Sequence, residues 1–167
     1  EENSAQASLF GGTSGVTMPK PKIENVEPFS ELEKLNLEKE VVGIYISGHP
    51  LENFKLELTS FCNVTCNQLG ELEPLQGKDV RVGGIVTSVE HRTTKTGKPF
   101  GKFVLEDFSG NSGKDTFTMF GETYMKFRNF INNGLFIFIE GNVMRSNWGQ
   151  MNVEYKIRNI ELLDEIA

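Results

Sequence analysis

The feature that most constrains this chain is a change of hydrophobic period at Gly77. Before it, apolar residues recur at helical spacing; after it, they alternate with polar ones, the pattern of strands that bury one face. Val80 and Val82 alternate with polar residues or glycine, while Ile85, Thr87 and Val89 continue with shifted parity. Gly83-Gly84 is therefore expected to be a bulge at which a long first strand bends. Residues 94–99, with Gly97 inside, read as a hairpin loop into a second strand whose Phe103 and Leu105 face the core. Residues 107–110 turn the chain, and Phe117 and Met119 alternate with Thr116 and Thr118 in a third strand. Tyr124, Phe127 and Ile131 then fall at helical spacing, with Gly134 where a left-handed C-terminal cap belongs. The apolar run 135–139 suits a buried fourth strand, and Met151, Val153, Tyr155 and Ile157 alternate in a fifth.

Three strands, one helix and two strands match one small all-β architecture, the five-stranded Greek-key barrel called the OB-fold, with its helix between strands three and four. Residues 77–167 are expected to form that nucleic-acid-binding domain. Upstream, Ser30 stands three residues before Glu33 as in a capping box, and Leu32, Leu35, Val42 and Tyr45 carry a helix to Ser47-Gly48. Pro50 suits the first turn of a second helix with Leu51, Phe54, Leu58 and Phe61 on one face. Residues 29–76 thus read as a helical connecting segment. Residues 1–28 hold Gly11-Gly12, Gly15 and a Pro19-Lys20-Pro21 break, with too little apolar content to offset the entropy of ordering, and read as a flexible tail. With 167 residues and 38% hydrophobic content, one core and a small appendage are expected.

Several functions are disfavoured. No apolar run reaches the length of a membrane span or a signal peptide, so no membrane association and a cytoplasmic location are expected; the initial glutamate suggests an excised piece. Cys62 and Cys66 have only the distant His49 and His91 as possible zinc co-ligands and read as reduced thiols, and the Asn63-Val64-Thr65 sequon reads as chance. The histidines lie in different modules, no Ser or Cys has an identifiable base, and each Gly-Lys pair lacks the rest of a phosphate loop. Glu106 and Asp107, as adjacent strand residues, point to opposite faces and make a poor metal pair. No catalytic residue, metal or cofactor is expected.

The net charge of -6 argues against a nucleic-acid partner, but it is unevenly spread. Residues 1–76 hold 5 Lys/Arg against 12 Asp/Glu, and residues 77–167 hold 12 against 11. The most basic window, residues 92–102, carries Arg92, Lys95, Lys98 and Lys102 without an acid, in the loop that flanks an OB-fold's binding surface. Alternation places Lys98, Phe100 and Lys102 on one side of the strand, so Phe100 could stack on a base between two phosphate-binding lysines. The plainer reading is a solvated hairpin tip. The loop between strands four and five carries Arg145 and Trp148; the tryptophan either stacks on a base or folds back over the barrel's end. The other aromatics are expected to face the core rather than form a stacking platform.

Residues 38–51, which include Ser47-Gly48-His49-Pro50-Leu51, closely resemble the segment preceding the OB domain in the α-subunit family of bacterial replicative DNA polymerase III. The resemblance continues through residues 94–97, residues 104–107 with Ser109-Gly110, Phe120 and residues 138–141, and so runs from about residue 29 to residue 164. Residues 111–115 depart from the family pattern and leave the start of the third strand open. The resemblance implies a parent DNA-directed DNA polymerase whose catalytic carboxylates and metal ions sit on a domain outside this chain. It makes His49 a structural residue and places the barrel near single-stranded template DNA. It also implies that Gln6, Leu9 and Phe10 belong to a peptide that holds the sliding clamp, with the two apolar side chains filling a pocket at roughly 1.5–3 kcal/mol each before ordering costs. Other DNA polymerase III holoenzyme subunits are implied partners. The main alternative is a barrel that docks replisome proteins without touching DNA; a third is the anticodon-binding domain of a tRNA synthetase, against which the preceding helices speak.

Overall fold

The computed structural model describes residues 26–109, 116–146 and 153–166. The chain divides into two compact units, Glu1–Ser30 and Glu31–Ala167; of the first, the described residues 26–30 are exposed and form neither helix nor strand. The second unit opens with α1 (Glu31–Val42) and α2 (Lys55–Phe61), continues through short 3-10 turns, and then forms β1 (Asp79–Thr93), β2 (Pro99–Glu106), β3 (Thr116–Phe120), α3 (Gly121–Phe127), β4 (Phe136–Arg145) and β5 (Val153–Leu162). The strands make one antiparallel sheet in the order β3-β2-β1-β4-β5, with the expected helix between the third and fourth strands. This is the OB-fold arrangement read from the sequence.

The sheet curls because β1 serves two neighbours in succession. Its first part, Asp79 to Ile85, pairs with β4; from Ile85 to Thr93 it pairs with β2. The edge strands β3 and β5 are thereby brought face to face, and the Phe117 and Tyr155 rings meet edge-on at 5.8 Å between centroids. A cavity of about 430 Å³ lies along this seam, between residues 116–120 and 153–157. Inside the curl, Val80, Val82, Val86, Phe103, Leu105 and Ile139 are almost fully buried in one core.

The bulge is not at Gly83-Gly84. Pairing with β4 runs unbroken across both glycines, and the register slips instead between Val86 and Ser88, on the β2 side. The glycines are demanded by close approach. A Cβ on Gly84 would sit 2.3 Å from the Glu106 carbonyl oxygen, and one on Gly83 would sit 2.5 Å from Leu58 Cδ2. Gly83 therefore admits α2 onto the outer face of β1, where Leu51, Leu58, Ile85, Phe138 and Leu163 form a second buried cluster. Ile85 changes parity relative to Val82 because both faces of β1 are covered here, with the barrel interior on one side and the helical segment on the other.

Three element boundaries differ from the sequence reading. α1 ends at Val42, not at Ser47-Gly48, because Gly43 takes a left-handed φ of 88° and donates its N–H to the Lys39 carbonyl at 2.8 Å. The second helix begins as a 3-10 turn, Glu52–Phe54, and its Phe61 is 39% exposed rather than packed. Gly134 is not a helix cap: α3 stops at Phe127, and the Gly134 N–H donates to the Val86 carbonyl at 2.8 Å, leading the chain into β4. Ile131 nevertheless reaches the core, as its spacing required.

The Ser47-Gly48-His49-Pro50-Leu51 run is a joint. The Glu38 carboxylate accepts the Ser47 hydroxyl, the Ser47 N–H at 2.9 Å and the Ile46 N–H at 3.1 Å, and these donors hold it below the ordinary carboxylate range. His49 Nδ1 accepts the Leu51 N–H at 3.2 Å, Pro50 is buried, and Leu51 is fully buried in the second cluster. The His49 ring packs between Tyr45 and Phe108, and the burial holds its imidazole below the ordinary 6.5. A further tie is the Lys39–Glu106 ion pair, which joins α1 to the end of β2. Burial alone would lower the Lys39 ammonium, but the hydrogen bond and charge of Glu106 outweigh it and raise the pKa.

Two expectations follow for stability. Gly84→Ala should cost more than Gly83→Ala, within the ~1–3 kcal/mol range of overpacking, because its new methyl meets a backbone carbonyl whereas that at Gly83 meets a side-chain methyl able to turn away; urea unfolding of both variants ranks them. For His49, the unfolded chain takes up the proton first as pH falls below 6.5, so stability present above that value is lost as pH drops toward the folded pKa. Melting temperatures measured from about pH 7.5 down to 5.5 should fall in the wild type and fall less in His49→Asn, whose side-chain oxygen accepts the same N–H without titrating.

Candidate nucleic-acid interface

The loop joining β1 to β2 is held by one threonine. Thr94 receives the Gly97 N–H on its carbonyl at 2.9 Å and the Lys98 N–H on its hydroxyl at 3.0 Å, and its own N–H donates to the Lys98 carbonyl at 2.8 Å. Gly97, with φ at 80°, supplies the left-handed position that the turn needs. Lys95 and Lys98 are exposed on this turn and take no ion-pair partner among the described residues.

Below the loop, alternation and register set three rows of side chains on the outer face of β1, β2 and β3. Arg92 pairs with Phe100 and Phe100 with Phe120; Glu90 pairs with Lys102 and Lys102 with Thr118; Ser88 pairs with Val104 and Val104 with Thr116. The intervening residues Gly101, Phe103, Phe117 and Met119 are buried. In the first row the Phe100 and Phe120 rings stack at 5.3 Å between centroids and 23° between planes, and Phe120 is 58% exposed. This corrects the expectation that the remaining aromatics face inward. The signal for Phe120 was its parity: with Phe117 and Met119 inside, an aromatic one residue further on must point out.

Opposite this face, His91 turns toward α3, with Nδ1 2.9 Å from the Tyr124 hydroxyl. A Cβ on Gly101 would stand 2.7 Å from the Tyr124 ring, so α3 is seated directly beneath the aromatic pair. Arg92 is not a free cation: its Nη2 lies 2.8 Å from Glu90 Oε2, an acid just outside the basic window read from the sequence.

Arg92, Lys98, Phe100 and Lys102 share one end of the hairpin and the face below it. Arg145 does not join them. Asp79, the first residue of β1, pairs with Asn142, so Arg145 lies beyond the opposite end of β1 and pairs with Val153. Trp148 and the tail residues Gln6, Leu9 and Phe10 lie outside the described residues.

The other chemistry-bearing side chains are tied into the scaffold. Asp107 accepts the Cys66 N–H at 2.7 Å and the Ser109 N–H at 2.8 Å, fixing the turn after β2, while Glu106 is taken by Lys39. Asn63, the sequon residue, has both ends of its amide on β1, accepting the Arg81 N–H at 2.7 Å and donating to the Asp79 carbonyl at 3.0 Å. Burial pushes the Cys62 thiol up to about 11, far from a reactive thiolate. Among the described residues no three His, Cys, Asp or Glu side chains are placed to hold a metal ion, and no helix is long and apolar enough to cross a membrane.

Residues 80–163 match the family model described as an OB-fold nucleic acid binding domain. Among curated proteins, the DNA polymerase III subunit alpha of Borreliella burgdorferi is 35% identical over 164 residues, covering 96% of this chain and 14% of that protein. The same subunit of Deinococcus radiodurans is 33% identical over 62% of this chain and 8% of its own length, and that of Halalkalibacterium halodurans 29% identical over 81% and 11%. This chain thus spans about a tenth of the length of these relatives. The strand order, the helix between the third and fourth strands and the family match agree: the chain belongs to the OB-fold nucleic acid binding domain family, and it is similar across most of its length to a region of bacterial DNA polymerase III α subunits.

Proposed function

We propose that this chain is a non-catalytic accessory region of a bacterial DNA polymerase III α subunit, working in the cytoplasm, whose β1–β3 face holds single-stranded template DNA. The observation that carries this reading is the stacked Phe100–Phe120 pair with its exposed Phe120, flanked by Arg92, Lys98 and Lys102. An aromatic face is open to bases that are already unstacked, as in a single strand; a duplex offers its edges and phosphates instead. Stacking contributes ~1–3 kcal/mol per base with little sequence preference. The lysines follow phosphates without reading sequence, which suits a template of any composition.

The tail reading adds a second contact. Gln6, Leu9 and Phe10 form the peptide that tethers the polymerase to its sliding clamp, with the apolar pair in a pocket and the glutamine giving oriented hydrogen bonds. Together these make the region a support for processivity, with the remaining holoenzyme subunits as further partners. The parent protein would be the DNA-directed DNA polymerase.

A second reading, a module that docks replisome proteins, is favoured by exposed aliphatic residues at the end of α1 and just beyond it: Val41 is 83% exposed, and Ile44 and Ile46 are each 64% exposed. Such a run is unusual on a surface that meets only water.

Titration of a dye-labelled oligothymidylate separates the two. Under the single-strand reading, Phe120→Ala should weaken binding by about 1–3 kcal/mol, and Phe100→Ala similarly. With three phosphates met by Lys95, Lys98 and Lys102, the slope of log K against log salt should be about -2, and Lys95→Glu with Lys98→Glu should make it shallower. Absence of binding even at low salt would leave the docking module. Independently, Leu9→Ala with Phe10→Ala should abolish binding to a purified bacterial sliding clamp while leaving the oligonucleotide titration unchanged.

A further inference from the structure

An acid stands in the middle of the face assigned above to single-stranded DNA. Of the nine residues in the three outward rows, Glu90 is the sole carboxylate. Its Oε2 lies 2.8 Å from Arg92 Nη2, and it is the register partner of Lys102 on β2. It thus neighbours both cations of the face and sits one row from the Phe100–Phe120 stack.

We propose that Glu90 is a built-in competitor for the phosphate: it occupies Arg92 at the edge of the aromatic pair, so that an incoming strand must exchange one ion pair for another. This inference rests on the single-strand reading of the site. The side chains of Arg92 and Glu90 are 61% and 50% exposed, so the pair is open to water and can be exchanged. Exposed pairs of this kind contribute little to stability, and folding does not explain the placement. A phosphate approaching the platform comes within a Debye length of the carboxylate, ~8 Å at physiological salt, and feels its repulsion. Lys102 is blunted by the same charge.

The arrangement divides the work of binding. The aromatic pair supplies affinity that is indifferent to salt and sequence, and Glu90 limits the electrostatic part that would otherwise hold the backbone in place. A strand on such a face can be gripped and released quickly, which suits a surface past which template must move. The acid also specifies what is disfavoured: a duplex, which engages through phosphates and gains nothing from the rings, meets a face whose cations are partly neutralised.

Fluorescence anisotropy with the full 167-residue chain and a dye-labelled oligothymidylate of about 16 nucleotides tests this across a range of salt. Glu90→Gln, nearly the same in shape, should bind roughly two- to fivefold more tightly at low salt. Its salt slope should steepen by about 0.7, the share of one further phosphate contact on a single strand. Arg92→Ala should then cost more in the Glu90→Gln background than in the wild type. If Phe120→Ala weakens binding but Glu90→Gln binds equally or less tightly, the single-strand reading stands and the competitor role is overturned, Glu90 then serving to position Arg92. If the wild type does not bind at low salt, the single-strand reading falls and this inference falls with it.

Discussion

The middle of β1 is buried on both faces, and most of the structure depends on that double cover. On one side Val80, Val82 and Val86 complete the barrel interior; on the other Ile85 meets Leu51, Leu58 and Leu163. A strand covered on two sides needs places where side chains are absent, and Gly83 and Gly84 provide them, one for α2 and one for the end of β2. With β1 held there, its two ends diverge toward β4 and β2, and the curvature that brings β3 opposite β5 follows from that divergence. The helical segment therefore acts as a buttress for the sheet as well as a connector.

The same buttress accounts for residues that look like chemistry in the sequence. Glu106, Asp107, His49 and Asn63 each have partners in the joint between the helical segment and the barrel. Of these, Glu106 and Asp107 are buried, where a polar group is costly unless satisfied, and their partners restrict the geometry of the joint. Surface chemistry is left to the loop end of the same outer face, where the outward rows of β1, β2 and β3 carry, among the described residues, only the Glu90–Arg92 ion pair.

An acidic chain can carry this site because charge acts locally. The Debye length at physiological salt is ~8 Å, so the net charge of the whole chain does not by itself set the potential beside Phe100. In the proposed reading, hydrophobic stacking would carry affinity there, and a few lysines on the turn would orient the backbone. The balance differs from that of a duplex-binding surface, which relies on many phosphate contacts.

The order of strands and the helix between the third and fourth were legible because period-two and helical patterns are local properties of the chain, as were the hairpin at Gly97 and the inward Phe103 and Leu105. The bulge was misplaced because a glycine pair looks the same whether it bends a strand or admits a neighbour; only the positions of Leu58 and the Glu106 carbonyl distinguish the two. Helix ends were misjudged because Gly43 ends α1 by a backbone conformation that apolar spacing does not encode. The Phe100–Phe120 stack and the Glu90–Arg92 pair join residues from different strands or rows, and whether such neighbours touch depends on register and twist. By itself the sequence determined the elements, their order and the basic hairpin, since these follow from short-range patterning. Tertiary structure alone decided which aromatics stack on the outer face and which cation is already engaged, because those are contacts between residues that the chain brings together only when the sheet closes.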